Sequence, residues 1–319
     1  MMNTAIPIYI LSGFLGSGKT TFLKKVIDFY THAGKKPAVI MNEIGDVNLD
    51  GLLIDEEVPM AEILGGCVCC TNRGDLSMAI LNIVRENSPD IIFIESTGIA
   101  NPMEIIESVT DASLLLEVHL KSLITVVDAP HLLELVESNQ KKKTLRLMEE
   151  QVRSANYLII NKMDRVGTDA LIRLQSWLTQ RNSHALIKPA EYCEVDFHLF
   201  DELSRNTDEP QKKLKKTFTT IQQEHHHSHD HVMAYTHYFD HPVSIDNFEQ
   251  MISKLPKEVY RAKGILRLID DAENITLFQY AYRELEFVKI NPQAKVPNVA
   301  VFIGENFSKD HLIVQLHNL

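Results

Sequence analysis

The sequence predicts an α/β protein: a doubly wound, mostly parallel sheet followed by a smaller α+β domain. Three observations carry this expectation. Short, nearly continuous apolar runs alternate with amphipathic helical patterns through the first two thirds of the 319 residues, as strands buried on both faces require. A glycine-rich turn, GFLGSGKT at 13–20, joins the first apolar run to the first helix. Near Asn206 the chain turns polar, and several β-rich runs then follow one another without intervening helices.

The elements follow in order. IPIYIL (6–11), PAVIM (37–41), DIIFI (90–94), SLITVV (122–127) and YLII (157–160) are short, apolar and β-rich, so they read as buried strands. Helical patterns span about 19–32, 74–87, 103–110, 130–138, 144–155 and 169–180. The stretch 206–231 is polar and histidine-rich and reads as a linker between a first unit, 1–205, and a second, 232–319. In the second unit the expected order is a strand (232–240), a helix (244–254), four strands (264–269, 275–280, 285–290 and 298–303) and a last helix (307–317).

Bulk properties exclude several classes. A formal charge of −11 without a dense basic stripe argues against nucleic acid, because phosphate neutralisation needs clustered Lys and Arg. The run Lys141-Lys142-Lys143 reads as a solvated face. No apolar stretch reaches the length of a membrane span, and the N-terminus lacks a basic leader, so a cytoplasmic location is expected. The four cysteines, three of them crowded together, form no disulfide framework.

Residues 13–20 match G-x-x-x-x-G-K-[ST], with a strand before and a helix after. Gly13, Gly16, Ser17, Gly18, Lys19, Thr20 and Thr21 are the expected phosphate contacts. Lys19 reaches the β- and γ-phosphates, and the Thr20 hydroxyl binds Mg²⁺. Glu95-Ser96-Thr97-Gly98 follows a strand; Glu95 is placed to hold Mg²⁺, and Gly98 to approach the γ-phosphate. Asn161-Lys162-Met163-Asp164 fits N-K-x-D. The Asp164 carboxylate accepts from guanine N1–H and its amine, whereas adenine N1 is itself an acceptor. This selects GTP over ATP.

Cys67, Cys69 and Cys70 follow two glycines. Soft thiolates favour Zn²⁺ or Cu⁺, and three thiols leave one tetrahedral position open. Packing cysteines and a redox pair are the alternatives. In Asn42-Glu43-Ile44-Gly45-Asp46, Glu43 and Asp46 are carboxylates for Mg²⁺, the attacking water or the thiolate-bound metal, or are simply solvated. His225, His226, His227, His229 and His231 form a tract suited to weak accessory metal binding, or to a polar linker. His119, His131, His184 and His198 are expected to be structural.

With these motifs in order, the chain resembles the CobW-type metallochaperone GTPases, relatives of the GTPases that insert nickel in urease and hydrogenase maturation. The resemblance rests on SGFLGSGKTT, NEIGDVNLDG, GGCVCC, ESTG-x-A-x-P and NKMD. It extends to Arg261-Ala262-Lys263-Gly264 and Val301-Phe302-Ile303-Gly304 in the second unit. It implies Zn²⁺ at the CxCC thiols, GTP as substrate, Mg²⁺ as cofactor, and a zinc-dependent client protein. Catalytic roles fall to Lys19, Thr20, Asp46 and Glu95. The chain departs from the pattern at Met41, Ser96 and Asp46, where many members carry glutamate, cysteine and glutamate. The expected function is a GTP-hydrolysing zinc metallochaperone whose metal or client affinity follows nucleotide state. A cobalt chaperone for cobalamin synthesis, a non-catalytic zinc buffer or sensor, and a P-loop kinase are the competing readings. GTP and GDP, the client and a homodimer are the expected partners; nucleic acid and membrane are not.

Overall fold

The structure is a computed structural model. It describes residues 5–43, 58–64, 73–96, 102–138, 143–198, 232–271, 274–281, 283–292, 294–305 and 307–319. The first sheet has seven strands: β1 (Ile6–Ser12), β2 (Pro37–Glu43), β3 (Met60–Leu64), β4 (Ile91–Glu95), β5 (Val118–Asp128), β6 (Tyr157–Asn161) and β7 (Leu186–Pro189). Their order is β3-β2-β4-β1-β5-β6-β7. Every pairing is parallel. β1 therefore sits at the centre, with β4 on one side and β5 on the other. That is the switch point of a doubly wound sheet, where the crevice at the carboxyl strand ends takes a ligand.

Strand periodicity builds two cores. Ile8 and Ile10 of β1, with Ile92 and Ile94 of β4, face one side. They pack with residues of α2 (Arg73–Asn87), α3 (Pro102–Ser113), α4 (Ala129–Glu137), α5 (Lys143–Ser154) and α6 (Thr168–Arg181). Tyr9, Leu11, Val39 and Phe93 face the other side and meet Phe22, Leu23, Val26 and Ile27 of α1 (Lys19–His32). Successive strand residues alternate faces, so the apolar runs have to be continuous. Met41 belongs to the α1-side core at 1% exposure. One of the three departures from the pattern the chain resembles is thus a packed hydrophobe.

β3 and β7 were not expected from the sequence, and each is an edge of the sheet. β5 starts four residues earlier than its apolar run, at Val118 rather than Ser122.

The second sheet is antiparallel, in the order β11-β10-β9-β12-β8. Its strands are β8 (Val232–Tyr238), β9 (Val259–Arg267), β10 (Ile275–Ala281), β11 (Glu284–Ile290) and β12 (Val299–Glu305). Helices α7 (Ile245–Ser253) and α8 (Lys309–His317) cover one face through Phe248, Ile252, Leu312 and Leu316. β9 begins at Val259, earlier than the expected 264. The stretches 261–264 and 301–304 are neighbours, with Phe302 opposite Ala262 and Val301 opposite Lys263.

α3 joins the two sheets. Glu107 pairs with Arg261, and Asp111 with Lys263. Tyr260 Oη donates to Met103 Sδ at 3.7 Å. Tyr238 Oη donates to the Val118 carbonyl at 2.6 Å and accepts from the Val118 N–H at 2.9 Å. Among the described residues no helix is long and apolar enough to cross a membrane.

Candidate nucleotide site

The phosphate loop leaves the carboxyl end of β1 and enters α1 at Lys19. Its glycines are required by geometry. Gly18 has φ +108, and a Cβ there would lie 2.4 Å from Asn161 Nδ2. Gly13 has φ +139, and its Cβ would meet the Val126 carbonyl oxygen at 2.3 Å. Side chains are strained in this region of backbone space. The Ser17 N–H donates to the Phe14 carbonyl at 3.1 Å, closing the loop. Lys19 is buried, with Nζ 3.4 Å from the Phe14 carbonyl oxygen. Ser17 is fully buried, and its Oγ has no hydrogen-bond partner among the described residues. A buried orphan hydroxyl calls for a ligand group to satisfy it.

The N-K-x-D segment comes against this loop. Asn161, the last residue of β6, donates from Nδ2 to the Ser17 carbonyl at 2.8 Å. Its Oδ1 accepts the Cys193 N–H at 2.8 Å. Lys162, at φ 60, donates from Nζ to the Gly16 carbonyl at 2.8 Å and pairs with Asp128 at 2.5 Å. Asp164 sits in the short 3₁₀ turn Met163–Arg165. Its carboxylate is 33% exposed, 3.9 Å from Arg165 Nε, and so accessible to a ligand.

Glu95 ends β4 opposite Leu11 of β1 and is 4% exposed. Thr20 lies in the first turn of α1, half-buried, and Thr21 beside it is exposed. A hydroxyl in the first turn of α1 and a carboxylate at the carboxyl end of β4 are the kind of oxygen donors that Mg²⁺ takes. The residues present therefore fit that ion.

Two participants went unread in the sequence. Asp128 ends β5, accepts the His131 N–H at 3.0 Å as the N-cap of α4, and holds Lys162. Its signal was there, in an Asp two residues before a proline at a helix start. The turn after β7 is the other. Ala190 donates to the Ile160 carbonyl at 2.8 Å and accepts from the Met163 N–H at 3.2 Å. Cys193, at φ 56, donates from Sγ to the Gly18 carbonyl at 3.3 Å. Burial pushes its thiol pKa up to about 12, against smaller opposing effects of Lys25 and Lys162.

The expected metal residues Cys67, Cys69, Cys70, Asp46, His225, His226, His227, His229 and His231 lie outside the described residues, as does Gly98. Of Glu43 only the backbone register is described: it closes β2 opposite Leu64. Among the described residues no group of three or more His, Cys, Asp or Glu side chains is arranged to hold a metal ion. Two of the scattered histidines have aromatic neighbours. His131 stacks on Phe14 at 5.6 Å, and His198 meets Phe29 edge-on at 5.0 Å. Burial lowers the pKa of His119 to about 4, with Lys121 and Lys309 adding to the effect.

Residues 7–188 match the family model described as CobW/HypB/UreG, nucleotide-binding domain, and residues 232–319 match the cobalamin synthesis protein cobW C-terminal domain. The zinc chaperone YeiR of Escherichia coli K12 is 32% identical over 225 residues, 70% of this chain and 63% of YeiR. The chain thus matches less than two thirds of that relative's length. The zinc chaperone YjiA of the same organism is 28% identical over 321 residues, 96% of each chain. The crystal structure of Zn(II)-bound YjiA GTPase covers 99% of both chains at 22% identity and a TM-score of 0.47.

Proposed function

The chain belongs to the CobW/HypB/UreG family, and on that premise we propose that it is a GTP-hydrolysing zinc metallochaperone. It binds Zn²⁺ at Cys67, Cys69 and Cys70 and delivers it to a client protein. Relatives named as zinc chaperones support zinc as the cargo.

In this reading Gly13 to Thr21 surround the phosphates with backbone N–H groups. Lys19 neutralises charge between the β- and γ-phosphates. Thr20 and Glu95 hold Mg²⁺, which when bound neutralises charge on the phosphate oxygens. Gly98 approaches the γ-phosphate with its N–H. Asp164 reads guanine, while Asn161 and Lys162 brace the loop. Asp46 orients the attacking water. The tract His225 to His231 collects metal weakly from a linker between the two units.

The observation that carries gating is the parallel pairing of β2 with β3. Glu43 stands opposite Leu64, and Met41 on the same strand stands opposite Glu95 of β4. Cys67 follows Leu64 by three residues. The segment expected to sense nucleotide and the segment carrying the thiols thus leave adjacent strand ends. Each ligand would then alter the affinity of the other by the same factor.

The test is metal analysis of untagged full-length protein, with GTP and ATP turnover measured in parallel. The expected result is stoichiometric zinc that is lost in Cys69→Ser, and hydrolysis of GTP in preference to ATP. Undiminished zinc in Cys69→Ser would move the site elsewhere. Equal turnover of ATP would refute the base assignment.

A further inference from the structure

A cleft of about 480 Å³ lies between α3 and the second sheet, remote from the phosphate loop in sequence. Glu107 of α3 forms one wall. Lys257, Tyr260, Arg261, Tyr280 and Arg283 contribute from the other side. The cleft thus gathers three cations against one carboxylate, in a chain whose formal charge is −11. Arg261 is spent on Glu107. Lys257 and Arg283 are exposed, and among the described residues neither has an ion-pair partner. Their acidic chain neighbours, Glu258 and Glu284, do not line the cleft.

Arg283 carries a second, independent observation. β10 and β11 pair through Ala281 and Glu284, so Arg283 is the second residue of a two-residue hairpin loop. Its φ is +67. Glycine or asparagine is the usual occupant of such a position. An arginine held there against backbone preference points to a use for its side chain. Arg283 and Tyr280 both line the cleft.

We propose that this cleft is a docking site for an acidic, aromatic-containing peptide segment of a partner protein. The cations come from three separate chain segments: the loop before β9, β9 itself and the β10–β11 turn. That spread fits an extended chain of carboxylates better than one compact anion. The tyrosine rings supply apolar surface beside the charges. α3, the opposite wall, starts six residues after Ser96, so a docked segment rests on the helix that follows the Glu95 element. The proposal rests on the client-delivery reading and supplies its recognition surface.

The test is fluorescence anisotropy of a labelled glutamate–tyrosine peptide with the full chain, without nucleotide or zinc. A lysine–tyrosine peptide of equal length is the control. The acidic peptide is expected to bind saturably, and about tenfold more weakly to Lys257→Glu/Arg283→Glu. Arg283→Gly, which relieves the backbone, is expected to keep the fold and still weaken binding. Equal binding to wild type and double variant would overturn the proposal. So would saturable binding of the basic peptide, or displacement by free glutamate at the peptide's own concentration. Zinc loading and GTP turnover of the same preparations are read separately. Their failure in the wild-type chain would refute the proposed function and leave the peptide result standing.

Discussion

Asn161 Nδ2 donates to the Ser17 carbonyl at 2.8 Å, so the residue that ends β6 is bonded to the loop that follows β1. Its other amide atom accepts the Cys193 N–H. One side chain thus ties the loop at 13–20, the N-K-x-D segment and the turn after β7. Lys162 doubles the tie through Gly16 and Asp128. Most of this brace is fixed by hydrogen bonds within the chain, which prepares the site before nucleotide arrives.

Asp164→Asn is expected to lower GTP affinity by about 100-fold or more, because a site built to hydrogen-bond a base discriminates strongly against a mismatched polar contact. The amide offers a donor where guanine also has one. Xanthosine triphosphate, with a carbonyl at that position, is expected to gain affinity in the variant. Competition binding with GTP and the xanthine nucleotide checks both halves.

Gly18→Ala combines a strained φ with a clash on Asn161. It is expected to cost about 1–3 kcal/mol of stability and to abolish measurable GTP binding. Gly34→Ala is the matched control: its φ is +75, but its Cβ would meet nothing within 4 Å. It should lose a similar strain energy while binding GTP normally. Denaturant unfolding and nucleotide titration separate the two.

Cys193 is 0% exposed, and its pKa is pushed up by burial. It should resist alkylation by iodoacetamide at pH 8 in the native state, since thiolate is the reactive form. Cys67, Cys69 and Cys70 should label, and zinc should protect them. Mass spectrometry of tryptic peptides reads each site.

The central strands were legible because burial on both faces demands uninterrupted apolar runs. β3 (MAEIL) and β7 (LIKP) were not. Each is a sheet edge broken by a charge, and β7 also by a proline. The loop at 13–20 and Asn161, Lys162 and Asp164 were legible because their chemistry is compressed into short spans. Asp128 and Cys193 act through partners 34 and 175 residues away in the chain, which no local pattern reports.

His237 is buried against Phe239 and His317, with rings at 4.6 and 5.3 Å. Burial, with His317 next, lowers its pKa from 6.5 to about 4. The folded state therefore favours the neutral ring. The stabilisation is complete above the unfolded pKa of 6.5 and is lost as pH falls toward 4. The loss reaches up to roughly 3 kcal/mol. His237→Gln should flatten this part of the stability profile, measured by urea midpoints from pH 7.5 to 4.

In the proposed function nucleotide state sets zinc affinity through adjacent strand ends, where Glu43 stands opposite Leu64. The direct measurement is a Zn²⁺ titration of the full chain loaded with GDP and, separately, with a non-hydrolysable GTP analogue and Mg²⁺. The affinities are expected to differ by about 5- to 150-fold between the two states, the usual range of coupling. Equal affinities would contradict it.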